Sequence, residues 1–211
     1  PYTVFTPYSI AWKKRLLSYP EIIYDSSLLS SNLLRLNPSH AINPLLNKKG
    51  IQNYCASPDI PYDIIKTYDQ TRNFPSLEGT SRLSPHLRFG TISIRKLVRT
   101  AAETNNIWLN ELIWREFFMM ILWHFPAVVV NSFKSKYDAI HWRNNEDDFG
   151  RWCRGETGYP MVDAGMRELN ATGWMHNRVR MITAGFLVKH LLIDWRWGEA
   201  YFAEKLLDYE L

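Results

Sequence analysis

The chain is poor in cysteine. Its two cysteines, Cys55 and Cys153, form neither a C-x-x-C pair nor a disulfide framework, so the fold depends on a packed core and neither thiol is assigned a chemical role. No apolar run approaches the ~18 residues of a membrane-spanning helix, which excludes a membrane partner of that kind. The first residues have neither the basic start nor the apolar core of a signal peptide, and a cytoplasmic location is the default expectation. The glycine-rich phosphate loops G-x-G-x-x-G and G-x-x-x-x-G-K-[ST] are absent, so a Rossmann or P-loop nucleotide site is not expected. No set of residues has metal-ligand spacing, and no internal repeat or low-complexity tract occurs.

What remains is a globular chain of 211 residues, 46% hydrophobic, enough for one large or two small domains. The net charge of +4 says little by itself, and its distribution says more. Five basic residues and no acidic one lie between Arg82 and Arg99, whereas Glu146, Asp147 and Asp148 form an acidic patch. The basic stretch suits phosphate contacts or the solvated side of a helix that buries Leu97, Val98, Ala101 and Ala102.

Periodicity predicts helices over residues 11–18, 62–73, 91–104, 108–124, 147–154, 160–172, 174–193 and 198–207, an all-α fold. Residues 2–7 read as a short strand or extended tail without a nearby partner strand. Residues 25–62, rich in Ser, Asn and Pro, read as a long connector with short helical turns.

Three segments carry chemistry. On the predicted helix over 108–124, Trp108, Glu111, Trp114, Arg115 and Phe118 occupy about 120° of the circumference, which lines a cavity with aromatic faces and charge. The bland alternative is an exposed Glu111–Arg115 pair at i,i+4. After Gly173, which ends a helix, a new helix starting near Trp174 would set Trp174, Asn177 and Met181 in one arc, with Arg178 at its edge and Arg180 to one side. That mixture suits a flat, polar-edged, anionic ligand, and a simple core stripe is the alternative. The loop from Glu78 to Pro85 offers hydroxyls, a guanidinium and small-residue backbone just before a helix, as a pyrophosphate needs; a capping loop without a ligand is the alternative.

Together with the segment from Gly158 to Arg167, these motifs occur in order, and the chain over roughly residues 60–211 resembles the flavin-binding domain of the photolyase/cryptochrome family. The resemblance implies an all-helical domain over residues 62–211 that holds FAD and is incomplete at its C-terminus. Residues 1–10 resemble the exit from an N-terminal antenna domain, whose chromophore the sequence does not identify, and residues 11–61 the connector that follows it. By motif position, Tyr68, Thr80, Ser81, Arg82, Leu83 and Ser84 are implied at the FAD phosphates and ribityl chain, Trp108 at the flavin pocket, and Arg180 with Asp208 beside the isoalloxazine ring. Glu210 is implied there too, where relatives often carry aspartate.

The implied partner is ultraviolet-damaged DNA. Glu111, Trp114, Asn177 and Met181 resemble the set around a cyclobutane pyrimidine dimer, with Arg72, Arg115 and Arg178 beside it. Glu111 is implied as catalytic, and Trp142 and Trp195 as the outer and middle members of an electron-transfer chain whose inner tryptophan would lie past Leu211. On this reading the chain by itself is expected to purify largely without FAD. A cryptochrome-type photoreceptor and a flavin-free helical interaction module are the rival readings.

Overall fold

The structure, a computed structural model, describes residues 1–18 and 58–210. The connector expected over 25–62 lies almost entirely outside the described residues. Ten α-helices are described: α1 (Phe5–Ser18), α2 (Tyr62–Lys66), α3 (Tyr68–Thr71), α4 (Ser84–Arg88), α5 (Ile94–Thr104), α6 (Asn106–His124), α7 (Glu146–Arg154), α8 (Pro160–Thr172), α9 (Asn177–Lys189) and α10 (Trp195–Lys205). Two 3-10 turns, Pro126–Val129 and Ser135–Tyr137, join α6 to α7. No strand occurs among the described residues, as an all-α fold requires.

Side-chain caps explain five of the ten described helix starts. Asn105 accepts from the amides of Ile107 and Trp108 to open α6, Asn145 accepts from Asp148 to open α7, and Asp194 accepts from Arg196 to open α10. Three acidic residues in the first turn of α7 complement its dipole. Gly173 closes α8 at φ 69°, a conformation that costs glycine nothing.

Several expectations are corrected. Of the strand or tail expected over residues 2–7, residues 5–7 instead begin α1, because Pro7 fits a first helical turn and Phe5 and Tyr8 find an aromatic partner surface on α6. The helix expected over 62–73 breaks at Thr67 into α2 and α3. Trp174 does not open a helix: α9 begins at Asn177, capped by His176, whose Nδ1 accepts from the Arg178 amide at 3.2 Å. Trp174 and Met175 therefore lie in a short crossing segment, and the helical arc drawn through Trp174 does not exist.

Two apolar cores form. One gathers Tyr8, Ile60, Ile65, Leu83, Leu97, Leu109, Ile113 and Phe117 beneath α1, α2, α5 and α6. The other gathers Trp152, Val162, Met166, Leu169, Met175, Leu187 and Ile193 among α7–α10. Trp152 is fully buried there and its indole donates to the Thr183 carbonyl at 3.0 Å, so its one polar group is satisfied. At the α8–α9 contact a Cβ on Gly165 would sit 2.3 Å from Val179 Cγ1, and only glycine permits that approach.

Candidate functional site

A cleft of about 350 Å³ opens where the two cores meet. From the first core come Tyr68, the loop Thr80-Ser81-Arg82-Leu83-Ser84, Leu87, Trp108, Glu111, Leu112 and Arg115; from the second come Trp174, Met175, Asn177, Arg180, Asp208 and Glu210. All ten residues expected around the cofactor line it, together with Glu111, Arg115 and Asn177.

The loop reaches the cleft through an unusual backbone. Arg82 adopts φ 51°, a left-handed conformation uncommon for a non-glycine residue, and its guanidinium lies 4.5 Å from the Trp174 ring centroid. Leu83, 3% exposed, anchors the loop in the first core, leaving the hydroxyls of Thr80, Ser81 and Ser84 at the cleft.

On the opposite wall Arg180 donates from Nη2 to Asp208 Oδ2 at 2.9 Å and from Nε to the Met175 carbonyl at 2.7 Å. The Asp208 side chain is only 4% exposed, and its Oδ1 is buried without a hydrogen-bond partner. Arg115 donates to Glu210 Oε1 at 3.0 Å while its own Nε is likewise buried and unpartnered. An unmet buried polar atom costs roughly 1–3 kcal/mol, more for a charged group. Two residues of the cleft lining thus each hold one buried polar atom without a protein partner, an acceptor on Asp208 and a donor on Arg115.

The mouth of the cleft carries linked charges. Arg72 pairs with Glu111, and its guanidinium sits 5.5 Å from the Tyr68 ring centroid. Burial raises the Glu111 pKa above the usual carboxylate range, against the opposing pull of Arg72 and Arg178. Burial, followed by the Glu111 charge, pushes the Tyr68 phenol up to about 12. Arg178 donates from Nε to Asn73 Oδ1 at 2.9 Å and from Nη1 to Met181 Sδ at 3.9 Å, with Met181 59% exposed. The surface pair Glu111–Arg115 does not form: each residue pairs across the fold instead, because both point into the seam between the cores.

Six expected site residues do not line the cleft: Arg72, Arg178 and Met181 stand beside it, and Trp114, Trp142 and Trp195 lie away from it. Trp114 turns from Trp108 and Glu111 and stacks on Phe5, with centroids 3.6 Å apart and planes at 5°, so the common face drawn for Trp108, Glu111 and Trp114 splits in two. The helix α1 that supplies Phe5 is tied down by Trp12 Nε1 donating to Glu116 at 2.7 Å. Trp142 and Trp195 line a separate groove of about 470 Å³ with Phe133, Tyr137, Ile140 and Val188. Among the cleft residues, Met175, Leu87 and Leu112 were not singled out in the sequence. Met175 escapes notice because its role follows from the nonhelical crossing after Gly173, which periodicity read as helix.

No described helix is long and apolar enough to cross a membrane. No cluster of three or more His, Cys, Asp or Glu residues capable of holding a metal occurs among the described residues.

The FAD binding domain of DNA photolyase matches residues 108–211. The deoxyribodipyrimidine photo-lyase of Escherichia coli is 42% identical over all of this chain and 48% of its own length, and that of Alkalihalophilus pseudofirmus 39% identical over all of this chain and 48% of its own. The chain therefore spans about half the length of the curated relatives it matches. A class III photolyase from Agrobacterium tumefaciens superposes with a TM-score of 0.66 at 45% identity, covering 70% of this chain and 32% of that one. A Synechocystis cryptochrome does so with a TM-score of 0.64 at 39% identity, over 70% of this chain and 33% of the other. The overall likeness therefore does not divide repair enzymes from photoreceptors. It does agree with the all-helical fold, and this chain belongs to the photolyase/cryptochrome family.

Proposed function

We propose that the cleft holds FAD and that the protein repairs ultraviolet-damaged DNA, splitting cyclobutane pyrimidine dimers in light. The observation that carries this reading is the convergence on one cleft of the hydroxyl-rich loop, the Arg180–Asp208 pair with its free acceptor, and Glu111. When bound and reduced, FAD supplies the electron that starts dimer cleavage.

The chain's own groups divide the remaining work. Thr80, Ser81, Arg82 and Ser84 provide hydroxyl, backbone and guanidinium donors for a pyrophosphate. Arg180 and Asp208 hold a polar ring edge, each offsetting the other's desolvation. Trp108, Leu87 and Leu112 exclude water. Glu111, held by Arg72 and made easier to protonate by burial, faces a pyrimidine edge as negative charge develops there, and a group that answers developing charge acts mainly in the reactive state. Asn177, Arg178 and Met181 border the base pocket. Arg115 stands behind them, tied to Glu210. Trp142 and Trp195 pass electrons inward from the protein surface.

A cryptochrome-type photoreceptor is the second reading, favoured by the structural match to the Synechocystis protein. The deciding experiment uses the whole protein with reduced FAD, a thymine-dimer oligonucleotide, and light against darkness. Light-dependent return of intact thymines is expected. Retained flavin without repair would favour the photoreceptor, and absence of flavin absorbance after reconstitution would favour a flavin-free helical module.

A further inference from the structure

The loop after α10 faces two ways. Asp208 and Glu210 line the cleft, whereas Tyr209 between them lines a separate, largely apolar cavity of about 350 Å³ that Trp195 and Glu199 also line. Trp195 and Glu199 stand four residues apart on α10, which sets them on one face of that helix. The Tyr209 hydroxyl donates to Glu199 Oε1, and Arg88 Nε fixes the Tyr209 backbone by donating to its carbonyl at 2.8 Å. A phenol, a carboxylate and an indole are thus gathered at one apolar cavity, directly behind the cleft wall.

That arrangement has a redox consequence. Burial, then the hydrogen bond to Glu199 and its charge, push the Tyr209 phenol up to about 12, so it stays neutral at rest. A neutral phenol is a poor electron donor alone, because its radical cation is a very strong acid. It becomes a good donor when a base already accepts its proton, and Glu199 is that base.

We propose that Tyr209 and Glu199 form a proton-coupled electron-donor pair for Trp195. The inference rests on the flavin reading above, in which Trp195 passes electrons inward and light-excited oxidised flavin is the oxidant. One electron moves from Tyr209 to the Trp195 radical cation, and the phenolic proton crosses the existing hydrogen bond to Glu199. The products are neutral Trp195, a neutral Tyr209 radical and protonated Glu199, so charge and atoms balance. Moving the hole onto the phenol, with its proton lodged on the carboxylate, slows its return to the flavin.

The test separates this pair from the flavin. Azide radicals generated by pulse radiolysis oxidise tryptophan in the whole protein without light or cofactor, and absorbance then follows tryptophan radical decay and tyrosyl radical growth. In the wild type a fast intramolecular phase is expected. Tyr209→Phe should remove it, and Glu199→Gln, which accepts the hydrogen bond but holds no proton, should slow it by about tenfold or more. Tyr137→Phe serves as the comparison, since Tyr137 shares the outer groove with Trp195 but has no carboxylate there. Circular dichroism and thermal melts matched to the wild type keep folding out of the result. A fast phase that survives Tyr209→Phe, or that Tyr137→Phe removes instead, would overturn the pair while leaving the flavin reading intact. In a second arm, illumination of the oxidised flavoprotein should give a tyrosyl resonance that Tyr209→Phe abolishes, and its persistence would overturn the proposal equally.

Discussion

At the scale of single residues, His176 ties helix formation to the electrostatics of the cleft. It is 3% exposed, and its Nδ1 accepts from the Arg178 amide, which leaves the proton of the neutral ring on Nε2. Burial first, then the charges of Arg178 and Arg180, hold its pKa below the ordinary histidine value. For a base with a depressed folded-state pKa, stability is fully present above the unfolded value of about 6.5 and is lost as pH falls through the folded value. Urea denaturation of the wild type should therefore show falling stability below about pH 6.5. His176→Asn keeps a cap acceptor but cannot titrate, so its stability should depend less on pH across that window. Identical slopes in the two proteins would show that His176 does not titrate with unfolding.

At the scale of elements, the α8–α9 contact governs the position of the cleft's second wall. Gly165→Ala would drive a methyl into Val179 Cγ1 and should destabilise the protein by about 1–3 kcal/mol. Gly185→Ala, on α9 with no atom within 4 Å of the added carbon, should instead stabilise it by up to about 1 kcal/mol through helix propensity. Urea midpoints measured side by side check both signs, and equal effects would mean that α8 and α9 are not closely packed at Gly165. The α1–α6 contact raises a different question, because Phe5 covers one face of Trp114. If Trp114 also stacks on a flipped base, Trp114→Ala should weaken binding to dimer-containing DNA by about 1–3 kcal/mol while affinity for undamaged DNA, mainly electrostatic, changes little. An unchanged ratio of the two affinities would make Trp114 a packing residue of the α1–α6 contact alone.

The same elements show what the sequence could reveal. Helices α5 to α8 were legible to within a few residues because polar caps and glycine stops bracket clear apolar periods, as Asn105, Asn145 and Gly173 do. The start of α1 was hidden because its partner is a distant aromatic face on α6, not a neighbour in sequence. Trp174 was misplaced for the opposite reason, since its spacing from Asn177 and Met181 imitates a helix that His176 actually begins after it. The cofactor set was legible as motifs, whereas the pairing of Arg72 with Glu111 and of Arg115 with Glu210 was not, because each joins segments far apart in the chain.

At the scale of the whole molecule, the cleft lies on the seam between two cores. Arg115–Glu210, Arg178–Asn73, Arg88 to the Tyr209 carbonyl and Arg82 over Trp174 all cross it, so the cleft is held open by polar contacts while apolar packing stays within each core. On the flavin reading proposed above, a ligand with polar edges would complete the seam, most of all at Asp208 Oδ1, which is buried without a protein partner. The most direct measurement is an FAD titration of the whole apoprotein, followed by flavin fluorescence, with Asp208→Ala set against Asp147→Ala on the exposed start of α7. Asp208→Ala should weaken FAD by about 5- to 150-fold, the equivalent of losing one buried charged hydrogen-bonding group, while Asp147→Ala leaves affinity unchanged. Equal FAD affinity in wild type and a folded Asp208→Ala variant would contradict the account.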